Sequence, residues 1–134
     1  MSLERDMVLL EKGRHRACIA TTPGELDAAR ALRSLCFGLA QGDSDSFDAL
    51  CAHVLVYEDD ALVCCFRMLP LSGSDISKSY SAQFYDLSAL EGFEGKMVEL
   101  GRFCVHPDAA QVDAVRVAWG AMTAYVDANN VRLL

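Results

Sequence analysis

The sequence predicts one mixed α/β (α+β) domain over residues 1–134, a sheet with helices packed on it. Three observations predict it. Short apolar runs recur between turn residues, two longer stretches repeat apolar residues at three- and four-residue steps, and the order is strand, helix, two-strand hairpin, strand, helix, strand. A chain of 134 residues, 52% hydrophobic and 23% charged, has the length and composition of one ordinary globular domain.

"RACIAT", residues 16–21, reads as the first strand. The helix after it carries a start signature: Thr22 can cap, Pro23 suits the first helical position, and Glu25 lies three residues after Thr22 as in a capping box. Leu26, Ala29, Leu32 and Cys36 recur at helical spacing with Leu35 beside them, and Gly38 and Gly42 bracket the helix end. "QGDSDSFDAL" is an acidic loop containing Asp43, Asp45 and Asp48. "CAHVLVYEDDALVCCFRML" reads as an antiparallel hairpin turning at Glu58, Asp59 and Asp60. A polar loop over residues 72–79 and a short helix in "SAQFYDLSAL" lead to the strand "MVELGRFCVHP", residues 97–107. From Asp108 the period changes, and Val112, Val115, Trp119, Met122 and Val126 define the apolar face of a helix running to about Ala128. Asn129 and Asn130 end it, and "VRLL" begins a last strand, parallel to the preceding one through a right-handed crossover. The sheet reads as one cut short near that fifth strand.

Composition excludes several function classes. A net charge of -7 argues against nucleic-acid backbones or an anionic membrane surface as the main partner. No apolar run approaches the ~20 residues of a transmembrane helix, and the charged start "MSLERDMVLLEKGRHR" is not a signal peptide. Six cysteines show neither CxxC nor zinc-like spacing, so they are expected to be reduced, buried and inert, with no metal bound. A cytoplasmic location follows as the working expectation, at most peripheral to the inner membrane.

The strand at 97–107 poses the central question, because Glu99 and Arg102 sit among core residues. Strand residues three apart point to opposite faces, so each is expected to meet a charge from a different element. Burying either without a partner would cost several kcal/mol.

The motifs "ALRSLCF", "DSDSFDALCAHVLV", "FRMLP", "YSAQFYDL" and "ELGRFCVHP" together resemble the acyltransferases of ornithine-lipid biosynthesis, the hemolysin-like proteins. Those belong to the GNAT superfamily and are related to the acyl-homoserine-lactone (autoinducer) synthases. The resemblance spans roughly residues 15–134 and implies a single GNAT-like domain whose mixed sheet splays between its fourth and fifth strands, where a thioester enters. It implies an electrostatic cluster of Arg33, Asp43, Asp45, Asp48, Arg67, Glu99 and Arg102, and matches His53 to a histidine of the ornithine-lipid enzymes. It places the thioester arm along Phe103, Cys104 and Val105.

The implied activity is transfer of a fatty acyl group from an acyl carrier protein or CoA thioester to an amine, with ornithine the amine of lipid synthesis. Alkyl amines are protonated at neutral pH, so a nearby base is useful; Glu99 is the first candidate and His53 the second. Asp45 and Asp48 are candidates to hold a cationic substrate or, equally, to serve as salt-bridge partners. Cys104 with His106 could make a thiol–base pair, but direct transfer needs no acyl-enzyme. The segment "HPDAAQVDAVRVAWG" lacks the Gly-x-Gly phosphate loop of many GNAT proteins, and Asp108 weakens a helix start for CoA phosphates. It also has "DAA" where the ornithine-lipid enzymes carry an arginine after His-Pro. Carrier protein is therefore the expected donor and partner, and an open sheet edge favours a homodimer. Alternative readings are an autoinducer synthase using S-adenosylmethionine as the amine, or a non-catalytic GNAT-like binding module.

Overall fold

The apolar runs on either side of Asp59 and Asp60 pair as the hairpin β3 (Ala52–Glu58) and β4 (Ala61–Leu71) in the computed structural model, which describes residues 7–39 and 44–134. β4 pairs antiparallel with β5 (Lys96–Val105), and β3 with β2 (His15–Ile19). An unanticipated strand, β1 (Val8–Lys12), adds antiparallel to β2 and begins the sheet. Its charged surroundings hid it, because only Val8, Leu9 and Leu10 are apolar before Glu11 and Lys12. The last strand, β6 (Val131–Leu133), is parallel to β5, as the sequence predicts.

β6 meets β5 only at Lys96 and Met97. Beyond Met97, the outer edge of β5 has no strand beside it among the described residues.

Helix α1 (Pro23–Phe37) starts as the capping pattern predicts. The Glu25 N–H donates to Thr22 Oγ1 at 3.2 Å, while the Glu25 carboxylate reaches back to the Thr21 N–H, one residue earlier than in a standard capping box. Gly38 ends the helix at φ 69, a left-handed conformation that suits glycine. Ala29, Leu32, Leu55, Cys65 and Cys104 form the core between α1 and one face of the sheet.

Helix α2 (Gln111–Asn129) covers the other face, but not through the stripe that its large residues suggest. Ala114, Val117, Ala118, Ala121 and Met122 are buried against Val54, Val56, Cys64, Phe66 and Val98, whereas Val112 and Trp119 are more than half exposed. Small alanines let the helix lie close to a sheet that already carries bulky residues, so the larger side chains turn outward. The predicted helix in "SAQFYDLSAL" is instead two short 3₁₀ turns at Ser81–Gln83 and Ser88–Leu90, and the polar loop before it holds a third at Gly73–Lys78. They cap a third core of Leu69, Leu71, Ile76 and Met97 on the α1 side of the sheet.

Candidate functional site

One buried carboxylate organises the α1 side of the sheet. Asp48, 2% exposed, accepts from Arg33 at 2.9 and 3.1 Å, from Arg30 Nε at 3.1 Å and from Arg67 Nη1 at 2.9 Å. Its main-chain carbonyl accepts from His53 Nε2 at 2.8 Å, which fixes the proton on that nitrogen. Asp48 therefore ties α1, β3 and β4 to the loop before β3. Burial pushes its carboxyl up, but hydrogen bonds from Arg33, Arg30 and Arg67 outweigh that and hold it well below the usual range. Arg30 is absent from the predicted cluster, although it sits one helical turn before Arg33 and so faces the same way.

Asp45 continues the network toward solvent. Arg67 grips it with two bonds of 2.6 and 3.0 Å, and Arg102 Nη2 reaches it at 3.1 Å. The bond from Arg67 lowers its carboxyl. Asp45 and Asp48 are thus engaged by guanidinium groups as salt-bridge partners. Asp43 lies outside the described residues.

The expectation that Glu99 and Arg102 face opposite ways is corrected by the structure. Arg67 pairs with Gly101 and Cys65 with Cys104, so two residues of β5, Arg102 and Phe103, oppose the single Phe66 of β4. That is a β-bulge, and Arg102 adopts φ 51 within it. The extra residue reverses the alternation beyond it, and Arg102 and Glu99 line the same cavity. Glu99 is held by main chain. Its Oε1 accepts the Tyr80 N–H at 2.7 Å and its Oε2 the Ser81 N–H at 2.9 Å.

This cavity, about 160 Å³, is bounded by Phe47, Tyr80, Arg67, Glu99 and Arg102, and by the backbone at Gly101. Arg67 lies under the Phe47 and Tyr80 rings, and Arg102 lies 5.1 Å from the Tyr80 ring centroid. Next to it runs an apolar groove of about 380 Å³ between Leu71, Ile76, Leu90, Met97 and the exposed Leu134. Ser81, Glu99 and Leu100 border both spaces, so the Glu99 carboxylate stands where a small polar cavity opens onto an apolar one.

The remaining predicted residues fall in the core. His53 is 7% exposed on β3, and burial lowers its pKa, so it is a neutral strut under the Asp48 loop. Phe103 stacks on Phe66 at 5.7 Å on the α2 side, whereas Cys104 faces α1 with its Sγ 3.5 Å from that of Cys65. The Cys104 thiol is pushed up by its bond with Cys65 and by burial, and burial lifts the Cys36 and Cys51 thiols to about 11. All six cysteines are free thiols, and burial raises the Cys18 and Cys64 thiols as well, the opposite of an activated nucleophile. The Val105 carbonyl accepts from Cys36 Sγ at 3.3 Å.

At the start of α2, Ala110 offers no side-chain cap and Asp108 is exposed. The hollow beside it is lined by Glu58, Asp59, Asp60 and Asp108, with Arg14 bonded to Asp59. Among the described residues no group of three or more His, Cys, Asp or Glu side chains is placed to hold a metal ion, and no helix is long and apolar enough to cross a membrane.

Tyr80 and Ser81, whose N–H groups hold Glu99, sit in a segment that depends on Gly73. A Cβ at Gly73 would lie 2.6 Å from the carbonyl oxygens of Glu91 and Phe93 and 2.9 Å from that of Leu90. Gly73→Ala must therefore displace main chain, and urea unfolding is expected to show a loss of about 1–3 kcal/mol. An unchanged midpoint would mean that this segment packs less tightly than described.

Comparison with known proteins follows the same lines. A model of the GNAT acetyltransferase domain matches residues 34–120. An L-ornithine N(alpha)-acyltransferase of Rhodobacter capsulatus is 33% identical over 100 residues, covering 69% of this chain and 39% of that protein. The protein of the same name from Rhizobium meliloti is 30% identical over 129 residues, 80% of this chain and 44% of the relative. The Brucella abortus protein is 29% identical over 104 residues, 70% of this chain and 37% of the relative. The chain thus spans about two-fifths of the length of the curated relatives it matches. FeeM, an N-acyl amino acid synthase from uncultured soil microbes, superposes with a TM-score of 0.63 over 91% of this chain and 70% of its own, at 19% identity, which shows a shared fold.

Proposed function

The chain belongs to the GNAT acetyltransferase domain family, and we propose that it carries out N-acyl transfer from a fatty acyl thioester to the α-amine of an amino acid, with ornithine as the acceptor. One observation carries the reading: Glu99 stands at the junction of a polar cavity sized for a small molecule and an apolar groove suited to a fatty chain. At about 160 Å³ the polar cavity falls below the roughly 300–1,000 Å³ of drug-sized sites, which suits an amine and not a lipid.

In this proposal the fatty chain of the thioester lies in the groove and its carbonyl near Glu99. Glu99 keeps acceptor capacity after bonding the Tyr80 and Ser81 N–H groups, because an ionised carboxylate has about four lone-pair sites. It takes the proton from the attacking ammonium, directly or through water. The free amine then forms the C–N bond, the C–S bond breaks, and the departing thiolate takes up the second proton that the nitrogen loses on becoming an amide. His53 is assigned a supporting role and not that of a base, because it is buried and committed to the Asp48 carbonyl.

Acyl carrier protein is the proposed donor. The acidic hollow at the start of α2 disfavours the several phosphates of CoA, whereas a carrier-bound arm brings only one. The proposal extends to a cytoplasmic protein peripheral to the inner membrane, and to a homodimer.

A thiol-release assay tests the reading. Long-chain acyl carrier protein and acyl-CoA are each presented with and without ornithine. Thiol should appear only with the amine present, and faster from the carrier protein. No amine-dependent release from either donor by folded protein would contradict acyl transfer, and a requirement for S-adenosylmethionine would move the function to autoinducer synthesis.

A further inference from the structure

The charge pattern of the polar cavity says which amines it accepts. Among the described residues its charged lining is Arg67, Glu99 and Arg102; Asp45 and Asp48 lie behind the guanidinium groups and do not border it. Arg67 has a side chain only 4% exposed and three bonds to the two aspartates, so it is part of the wall. The Arg102 side chain is 24% exposed, and the bulge aims it to the face that carries Glu99. Tyr80 supplies the aromatic face on which its planar guanidinium rests.

We infer that Arg102 is the residue that recognises the acceptor, by binding a free α-carboxylate while Glu99 faces the α-amine. The inference rests on the acyl-transfer reading and adds the recognition element. An acid and a guanidinium sharing one small cavity match the two charges of an α-amino acid, which sit on the same carbon. Arginine suits this task because its fork pairs with a carboxylate in two parallel bonds. Approach of the carboxylate re-partitions the bonds that Arg102 makes, the one with Asp45 among them, and Arg67 continues to hold Asp45.

The clamp also explains how a diamine acid is acylated at one end. With the carboxylate fixed, the α-amine stands beside Glu99, and the side-chain amine is carried away from it. No buried acid is needed to read the distal ammonium, in agreement with the engagement of Asp45 and Asp48 by arginines.

Calorimetric titration, which needs no acyl donor, tests the inference on the full chain. Ornithine is compared with 1,4-diaminobutane, which is ornithine without its carboxylate, and with ornithine amide. Wild-type protein should bind ornithine about 10- to 100-fold more tightly than either analogue, the range expected for loss of a charge-assisted bond. In Arg102→Gln that ratio should fall below about 3-fold, with Arg102→Lys intermediate because the charge remains and the fork is lost. Where turnover is measurable, wild type should yield α-acylated product alone and Arg102→Gln a mixture of α and side-chain products. Equal binding of ornithine and the diamine by wild type, or a full preference retained in a folded Arg102→Gln, would overturn the inference. Carboxylate-dependent binding without thiol release would uphold it while refuting acyl transfer; thiol release indifferent to the carboxylate would do the reverse.

Discussion

Asp48→Asn is expected to destabilise the protein by about 3–5 kcal/mol, the cost of removing the buried charge that three guanidinium groups share. The amide is nearly the shape of the acid, so packing is preserved and the loss is electrostatic. Arg33 is 1% exposed and Arg67 3% exposed, and both would face a neutral group that presents N–H donors to their own. A domain of this size has about 5–15 kcal/mol of stability in all, so a third or more of it is at stake. Asp45→Asn is the control: its side chain is 24% exposed and water can replace the lost bonds, so a much smaller loss of about 1 kcal/mol is expected. Urea unfolding of the two variants beside wild type measures the difference.

The same carboxylates set an acid limit. Asp48 and Asp45 are both held below the ordinary carboxyl pKa in the folded protein. Their contribution is complete above the unfolded-chain value of about 3.9 and is lost as pH falls from there toward the depressed folded values. Wild-type stability should therefore fall steeply below about pH 4, whereas Asp48→Asn should be less stable throughout and show a shallower acid slope.

The parts of the fold legible in the sequence are those governed by local chemistry. Thr22, Pro23 and Glu25 mark the start of α1 because caps depend on neighbouring residues, and Asp59–Asp60 marks the hairpin for the same reason. The α2 stripe was misplaced because periodicity weighs large residues, whereas close packing on an occupied sheet selected Ala114, Ala118 and Ala121. The cluster of Arg33, Asp45, Asp48, Arg67 and Arg102 was readable only through family resemblance, since its members come from four separate elements. The bulge was not readable at all. It depends on the register between β4 and β5, and the left-handed residue is Arg102 although Gly101 stands beside it. Nor could side-chain patterns show that Glu99 would be met by the main chain at Tyr80 and Ser81.

The measurement that bears most directly on the account is the amine-dependent release of thiol from long-chain acyl carrier protein by Glu99→Gln. A glutamine keeps one acceptor oxygen for the N–H groups of Tyr80 and Ser81 but cannot take a proton from the amine. Loss of a general base costs about 10²- to 10⁴-fold, and the account predicts that fall in kcat, with the KM for ornithine within a few-fold because Arg102 holds the carboxylate. The unfolding midpoint of the same preparation shows whether the main-chain anchor survives. Turnover within ten-fold of wild type by a folded Glu99→Gln protein would contradict the assignment of the base to the junction of the two cavities.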